Sequence, residues 1–427
     1  VNTTSPADII IVGAGAAGLM AAKELSQQYK VLILEARSVP GGRIRTSYNA
    51  DRTGHIEQGA EFVHGNLPLT MSLLQQAGLT CSPVEGGIFH VKDGQWKYSE
   101  EMIDGWDELM DNMKKADAGS TLLSFFQEYY AGAQHSALRS HITQFAEGFD
   151  LADISRVSIK SLLDEWQHEM DDNFRVDQGY LSLIHFLEAE CRKSGCTILY
   201  DTPVRLIEWA TDHVNAYKDE ETIYQAKKIL VTIPLGLLQS REAVDSIRFV
   251  PAIDVYTDAA QRMGFGSVIK FVFRFSRAFW RDHHSSAGFM ISEETVPTWW
   301  TQNGNDTVLT GWLGGPSADE WINAPEERLL SIALHSLSGI FQLTYAEIQS
   351  MLTESHVYNW AHDEWADGGY SYTTPDTEAA LSLFKQPPGG VVFFAGEAFY
   401  EGDSPGTVEA ALVSGRDVAQ ALARLSW

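Results

Sequence analysis

The sequence predicts an α/β fold, with one domain around a parallel sheet assembled from separated stretches of chain and a second, α+β domain filling the gaps. Three observations predict it. "DIIIVG", residues 8–13, is a short, continuous, β-branched run, the pattern of a strand buried on both faces. "GAGAAGLMAAKELSQQ" follows as a glycine turn into an Ala- and Leu-rich helix, and "KVLILEA" as a second buried strand. Strand, turn, helix, strand is a βαβ unit with a parallel sheet.

From about residue 66 to 190 the pattern turns helical. "LPLTMSLLQQAG", "GWDELMDNMKKA", "TLLSFFQEYY" and "SIKSLLDEWQHEM" carry helical spacing with polar faces and read as an insert. Strands return in "CTILYDTPVRLIEWA", "HVNAYKD" and "KKILVTIPLGLL". "SVIKFVFRFS" and "DTVLTGWLGG" are strands of a second sheet, and "APEERLLSIALHSLSGIF" and "TYAEIQSMLTE" are helices. "GGVVFFAGEAF" is one more buried strand, before a closing helix in "GTVEAALVSGRDVAQALARL". The expected nucleotide domain is 1–65, 195–242 and 386–427; the expected substrate domain, a mixed sheet plus the helical insert, is 66–194 and 243–385.

Composition bounds the partners. The net charge of -26, from 31 basic and 57 acidic residues, repels nucleic acid and anionic lipid. Its first role is solubility, and it would also favour a cationic substrate. No apolar run reaches membrane-spanning length. The first residues have no basic start and no leader-like stretch, so nothing is expected to precede the fold. Cys81, Cys191 and Cys196 make neither a disulfide framework nor a metal site, so idle thiols in a reducing cytoplasm are expected. Nothing specifies the oligomeric state.

"GAGAAG" places Gly13, Gly15 and Gly18 in GxGxxG spacing. Gly13 allows a tight turn, Gly15 lets backbone approach a pyrophosphate, and Gly18 lets helix and strand pack closely. The helix N-terminus offers N–H groups and a positive dipole end to phosphates. Glu35 closes the second strand 22 residues after Gly13, where a carboxylate accepts from both ribose hydroxyls. Loop plus Glu35 indicates an adenine dinucleotide without a 2′-phosphate, FAD or NAD. Ala36 and Arg37 continue the adenosine side. In "PGGRIRT", Gly42 gives a second close approach and Arg43 can lie along a pyrophosphate, which a bare NAD domain does not need.

"DIIIVGAGAAGLMAAKEL…VLILEARSVPGGRIRT" resembles the opening of the flavin amine oxidase family, which includes monoamine, polyamine and L-amino-acid oxidases. The resemblance implies a Rossmann-type FAD-binding domain built from discontinuous segments. In "IEQGAEFVHG" it places Gly59, Ala60 and Glu61 along the flavin, and in "TPVRLIEW" it puts the Val204 backbone on the adenine. "VTIPLGLL" matches the family's late sheet crossing. In "FFAGEAF…GTVEAALVSG" it assigns Gly396 and Glu397 to the ribityl-phosphate portion, and the Thr407 and Val408 backbone to the isoalloxazine.

Lys270, in "GSVIKFVFRF", sits in an alternation that does not decide between a snorkelling lysine and a buried cation; the resemblance places it near flavin N5 through a water. "NWAHDEWADGGYSY" resembles the stretch before the flavin face: Trp360 and Trp365 would pack around the ring system, and Tyr370 would form one wall of an aromatic cage. The monoamine oxidases carry a flavin-tethering cysteine where this chain has Gly369, so FAD is expected without a covalent bond. The opposite wall would fall at Thr407, leaving the cage half built. His64 matches a polyamine oxidase histidine near the flavin. The implied reaction moves hydride from the α-carbon of a neutral amine to N5, hydrolyses the imine, and reoxidises the flavin with O2 to give H2O2. A polyamine or bulky monoamine fits best. An L-amino-acid oxidase would want an arginine where Phe62 stands, and a non-catalytic flavin-binding interaction protein would want appendages or a basic surface.

Overall fold

The strand Ala7–Val12 runs parallel to Val31–Leu34 on one side and to the C-terminal half of Thr222–Val231 on the other. In this computed structural model, which describes residues 2–3, 6–48, 54–99, 105–168, 173–240, 246–302 and 307–425, these strands centre a nine-stranded sheet. Thr197–Leu199 extends it in parallel beyond Val31–Leu34. Val392–Phe394 pairs in parallel with Ile229–Val231, bringing the chain's last strand beside its first ones. The hydrophobic run has a simple cause. Ile9 and Ile11 enter one core with Leu19 and Leu412, while Ile10 and Val12 enter the opposite core with Phe249 and Phe394.

The chain divides into two compact units, 1–82, 165–265 and 364–427 in the first, 83–164 and 266–363 in the second. These bounds depart from the expected domains: residues 66–82, 165–168, 173–194, 246–265 and 364–385 pack with the first unit. Side-chain burial explains it. The helix Leu181–Lys193 places Leu183, Ile184 and Leu187 in the core beneath the helix Ala16–Leu25. The helices Asp254–Arg262 and Thr377–Phe384 cover the other sheet face with Tyr256, Ala260, Leu381 and Phe384. The closing helix Val408–Ala423 packs against Ala16–Leu25, where a side chain at Gly415 would lie 2.2 Å from the Ala17 carbonyl.

The second unit contains a seven-stranded mixed sheet. Val268–Phe275 lies between Val308–Gly314 and Leu352–Asn359, antiparallel to both. Its Ile269, Phe271, Phe273 and Phe275 enter one core with Trp299, Leu337 and Phe341. The expectation of a helical insert is corrected here, because the stretch also holds strands. Gly87–Lys92 and Gln95–Ser99 form a hairpin at one end of this sheet; Asn173–Val176 is a strand of the first unit, as are Cys81 and Ser82 of the strand Cys81–Pro83. The hairpin turn puts Asp93 and Gly94 at φ 50° and 72°, the Asp-Gly signature of a two-residue loop.

Among the described residues no single helix is long and apolar enough to cross a membrane. The pair Glu326–Phe341 and Tyr345–Met351 reaches that composition only jointly across a 108° bend, and its apolar residues fill the second unit's core. The three cysteines are free thiols.

A Cβ at Gly18 would lie 2.1 Å from the Gly13 carbonyl oxygen. Gly18→Ala is therefore expected to destabilise the protein by about 1–3 kcal/mol, read as a lower denaturant midpoint with unchanged slope.

Candidate functional site

The glycines of the first loop have different reasons to be glycine. Gly13 adopts φ +105°, and a Cβ there would lie 2.9 Å from Thr232 Oγ1. Gly18 is closed off by the Gly13 backbone. Gly15 has neither constraint: its φ of -78° suits any residue, and a Cβ would meet nothing within 4 Å. It begins the helix Ala16–Leu25, whose N-terminus no side chain caps. The second loop docks directly on it. Gly41 N–H donates to the Ala14 carbonyl at 2.9 Å, and a Cβ at Gly42 would find only Gly15 Cα, at 3.8 Å. The two loops thus form a backbone cradle with room for an outside group beside an uncapped helix end.

Glu35 is buried and fixes both carboxylate oxygens on backbone, accepting from Ala14 N–H at 2.6 Å and Arg37 N–H at 2.8 Å. A carboxylate has about four acceptor positions, so capacity for ribose hydroxyls remains. Burial raises its pKa, against the lowering by those two N–H groups. The chain at 201–202 bonds back here: Asp201 N–H to the Arg37 carbonyl and Thr202 N–H to the Glu35 carbonyl, at 2.9 and 2.8 Å. Buried Val204 follows two residues later, so Glu35, Ala36, Arg37 and Val204 share one end of the sheet.

Arg43 joins the other predicted residues. Its Nη1 donates to Glu397 Oε1 at 2.8 Å and to the Gly369 carbonyl at 2.7 Å. Glu397 Oε2 accepts from Ser371 Oγ at 2.5 Å and Ser371 N–H at 3.3 Å. Arg43 carbonyl also accepts from Ala60 N–H at 3.1 Å, which sets Gly59 and Ala60 alongside it. Gly396 N–H donates to Ser414 Oγ on the closing helix at 3.1 Å. Thr407 caps that helix, its Oγ1 accepting from Ala410 N–H at 3.1 Å and donating to the Ser404 carbonyl at 2.7 Å, and Val408 is the first helical residue. The Tyr370 ring packs on Gly406, where a Cβ would lie 3.0 Å from Cδ2.

Glu61 and Arg175 are buried and paired at 3.0 Å, and the Arg175 guanidinium lies 4.9 Å from the centre of the Phe62 ring. His64 Nδ1 meets Asn173 Oδ1 at 2.8 Å, because Phe62–His64 pairs antiparallel with Asn173–Arg175. Since Oδ1 only accepts, Nδ1 donates and Nε2 carries the lone pair. Burial lowers the His64 pKa, keeping the ring neutral near pH 7. Trp365 stacks under Arg205, whose guanidinium is 4.8 Å from the ring centre. In the second unit Trp360 is buried, and Lys270 is wholly buried with Nζ 5.7 Å from the centre of the Trp300 ring. That burial overturns the snorkelling alternative.

Asn173, Arg175, Ser371, Ser414 and Thr232 were not legible as partners. Asn173 and Arg175 fall on a strand inside a stretch that reads as helical. Ser371 lies within "GGYSY", but only folding shows its carboxylate partner. Thr232 donates to the Val12 carbonyl at 2.8 Å beneath the glycine turn, and nothing in "VTIPLG" announces that.

The model of the family described as flavin containing amine oxidoreductase matches residues 16–98 and 91–423. The chain belongs to this family. It is 28% identical over 96% of its length to a lysine-specific histone demethylase 1 homolog 2 of Oryza sativa subsp. japonica, covering 56% of that protein. It is 26% identical to human lysine-specific histone demethylase 2, covering 52% of it. The chain thus spans about half the length of these curated relatives. An L-amino-acid oxidase of Echis ocellatus is 24% identical, with 98% of this chain and 90% of that protein covered. Among solved structures, a putrescine oxidase bound to putrescine matches with TM-score 0.80 at 18% identity, over 99% of this chain and 100% of that one. Cyclohexylamine oxidase from Brevibacterium oxydans IH-35A matches at 0.79 and 21%, over 98% and 100%.

Gly15→Val tests the cradle. Apoprotein stability is expected to fall by no more than about 1–2 kcal/mol, since valine is a poorer N-cap than glycine, while affinity for added FAD falls at least ~100-fold, about 2.8 kcal/mol. His64 has a pH signature. Its folded pKa lies below the unfolded value of about 6.5, so the unfolded chain binds more protons and the residue's contribution is lost as pH falls through that value. Melting curves at pH 7.5 and 5.5 are expected to show wild type losing more stability than His64→Gln.

Proposed function

We propose that this chain binds FAD without a covalent bond in a Rossmann-type domain and oxidises amines with dioxygen as acceptor. The observation that carries this reading is the shared Glu397 carboxylate. One oxygen holds Arg43 beside the glycine loops, and the other holds Ser371 beside Tyr370. A dinucleotide cradle and an aromatic side chain are thereby fixed to each other. Flavin held by these residues would supply the hydride acceptor for the amine α-carbon and, with dioxygen as final acceptor, the route to hydrogen peroxide.

The chain's own residues do the rest. Glu35 holds the ribose, Gly15 and Gly42 admit the pyrophosphate, and Arg43 offsets its charge. Gly59, Ala60, Glu61, Gly396 and the Thr407–Val408 backbone flank the cofactor, and Trp365 packs about it. Tyr370 gives the amine an apolar wall that excludes water and favours the neutral form, which alone has a lone pair to assist hydride loss. His64 offers a neutral Nε2 to the proton of an entering ammonium. Gly369 has no side chain to tether the ring.

The substrate is a diamine, polyamine or bulky monoamine. Thr407 caps a helix, so no large ring stands at that position. An L-amino-acid oxidase would need a cation for the substrate carboxylate, and Arg175, stacked over Phe62, is already paired with Glu61. The charge of -26 suits a cationic substrate and disfavours nucleic acid or membrane partners. Three free thiols suit a cytoplasmic setting.

Anaerobic mixing with putrescine, cyclohexylamine, an N-methyl-lysine peptide and an L-amino acid tests the reading. Putrescine or cyclohexylamine is expected to bleach the flavin band, with peroxide released on admitting air. Bleaching by the amino acid alone would assign the other oxidase class, and bleaching by none would leave a flavin-binding interaction protein. Acid precipitation is expected to leave the yellow colour in the supernatant.

A further inference from the structure

We propose that Ser371 is a positioning residue for Tyr370, the second jaw of a clamp whose first jaw is Arg43. The inference rests on the reading of Tyr370 as a wall of the amine site. The stretch that carries Tyr370 has little secondary structure to hold it. Asp367 and Gly368 take φ of 49° and 140°, and only Ser371–Tyr372 pairs as a strand, with Gly264–Phe265. Two hydrogen-bonded sites flank Tyr370. On one side the Gly369 carbonyl accepts from Arg43 Nη1 at 2.7 Å. On the other, Ser371 Oγ and N–H donate to Glu397 Oε2 at 2.5 and 3.3 Å. Arg43 and Glu397 pair with each other at 2.8 Å, which closes the ring of contacts.

The Arg43 contacts and the Ser371 hydroxyl contact are short, at 2.5 to 2.8 Å, and the Ser371 N–H contact, at 3.3 Å, is the long one. The clamp fixes backbone, while Gly406 leaves the Tyr370 ring its seat. Ser371 is the one member of the ring whose side chain is neutral and whose loss leaves the Arg43–Glu397 pair intact. Without its hydroxyl, Glu397 Oε2 keeps only the longer N–H contact, and the segment after Tyr370 loosens.

The test uses the FAD-loaded protein and the variants Ser371→Ala and Ser371→Thr. In Ser371→Ala we expect faster hydrogen–deuterium exchange in the peptide spanning 367–372, unchanged FAD content, and kcat/KM for the best amine lowered roughly 10- to 100-fold. Ser371→Thr, which keeps the hydroxyl, should restore both readouts. Unchanged exchange and kinetics in Ser371→Ala would overturn the proposal. So would a kinetic loss that follows FAD loss and that threonine does not rescue, since that marks a purely structural role. If no amine bleaches the wild type, the amine-oxidase reading fails, and the exchange comparison still decides the clamp.

Discussion

Glu397 is buried on a short helical turn, and its two oxygens serve different parts of the chain. One meets the arginine after the second glycine loop, and the other meets the serine after Tyr370. A buried carboxylate is tolerable only when paired and hydrogen-bonded, and removing one partner typically costs about 3–5 kcal/mol. This requirement joins segments that are more than 320 residues apart in sequence. The loops around the cradle are irregular, so such contacts rather than helix or strand pairing decide where their side chains go.

The sheet supplies the rigid part. Its strands end at Val12, Leu34, Val231 and Phe394, and from these parallel ends come the glycine turn, Glu35, Thr232 and Gly396. Ligands of open parallel sheets sit at such carboxyl ends, where uncapped helix termini and irregular loops can offer N–H groups. The glycines of the first loop differ: Gly13 and Gly18 serve folding, and Gly15 faces open space.

Much of this was legible in the sequence. The β-branched run at 8–13 gave a doubly buried strand because both sheet faces carry a core. Glycine spacing and Glu35 marked the cradle because few other patterns place backbone N–H groups and a carboxylate together. The alternation around Lys270 was ambiguous because both faces of that strand are buried, which period alone does not reveal. The insert was misread where strands are short: Asn173–Val176 has only four residues and follows an acidic helix. The domain bounds moved because the helix Leu181–Lys193, which reads as part of the insert, covers the first unit's sheet. Partners such as Ser371 with Glu397 carry no local signal, since long-range hydrogen bonds leave no period in a sequence.

The central claim is that the cradle and the Glu35 end together read a complete adenine dinucleotide. Calorimetric titration of the apoprotein with FAD and with FMN, which lacks the adenosine half, tests it most directly. The account predicts FMN binding at least about 100-fold weaker than FAD, about 2.8 kcal/mol. Equal affinity for the two would contradict it.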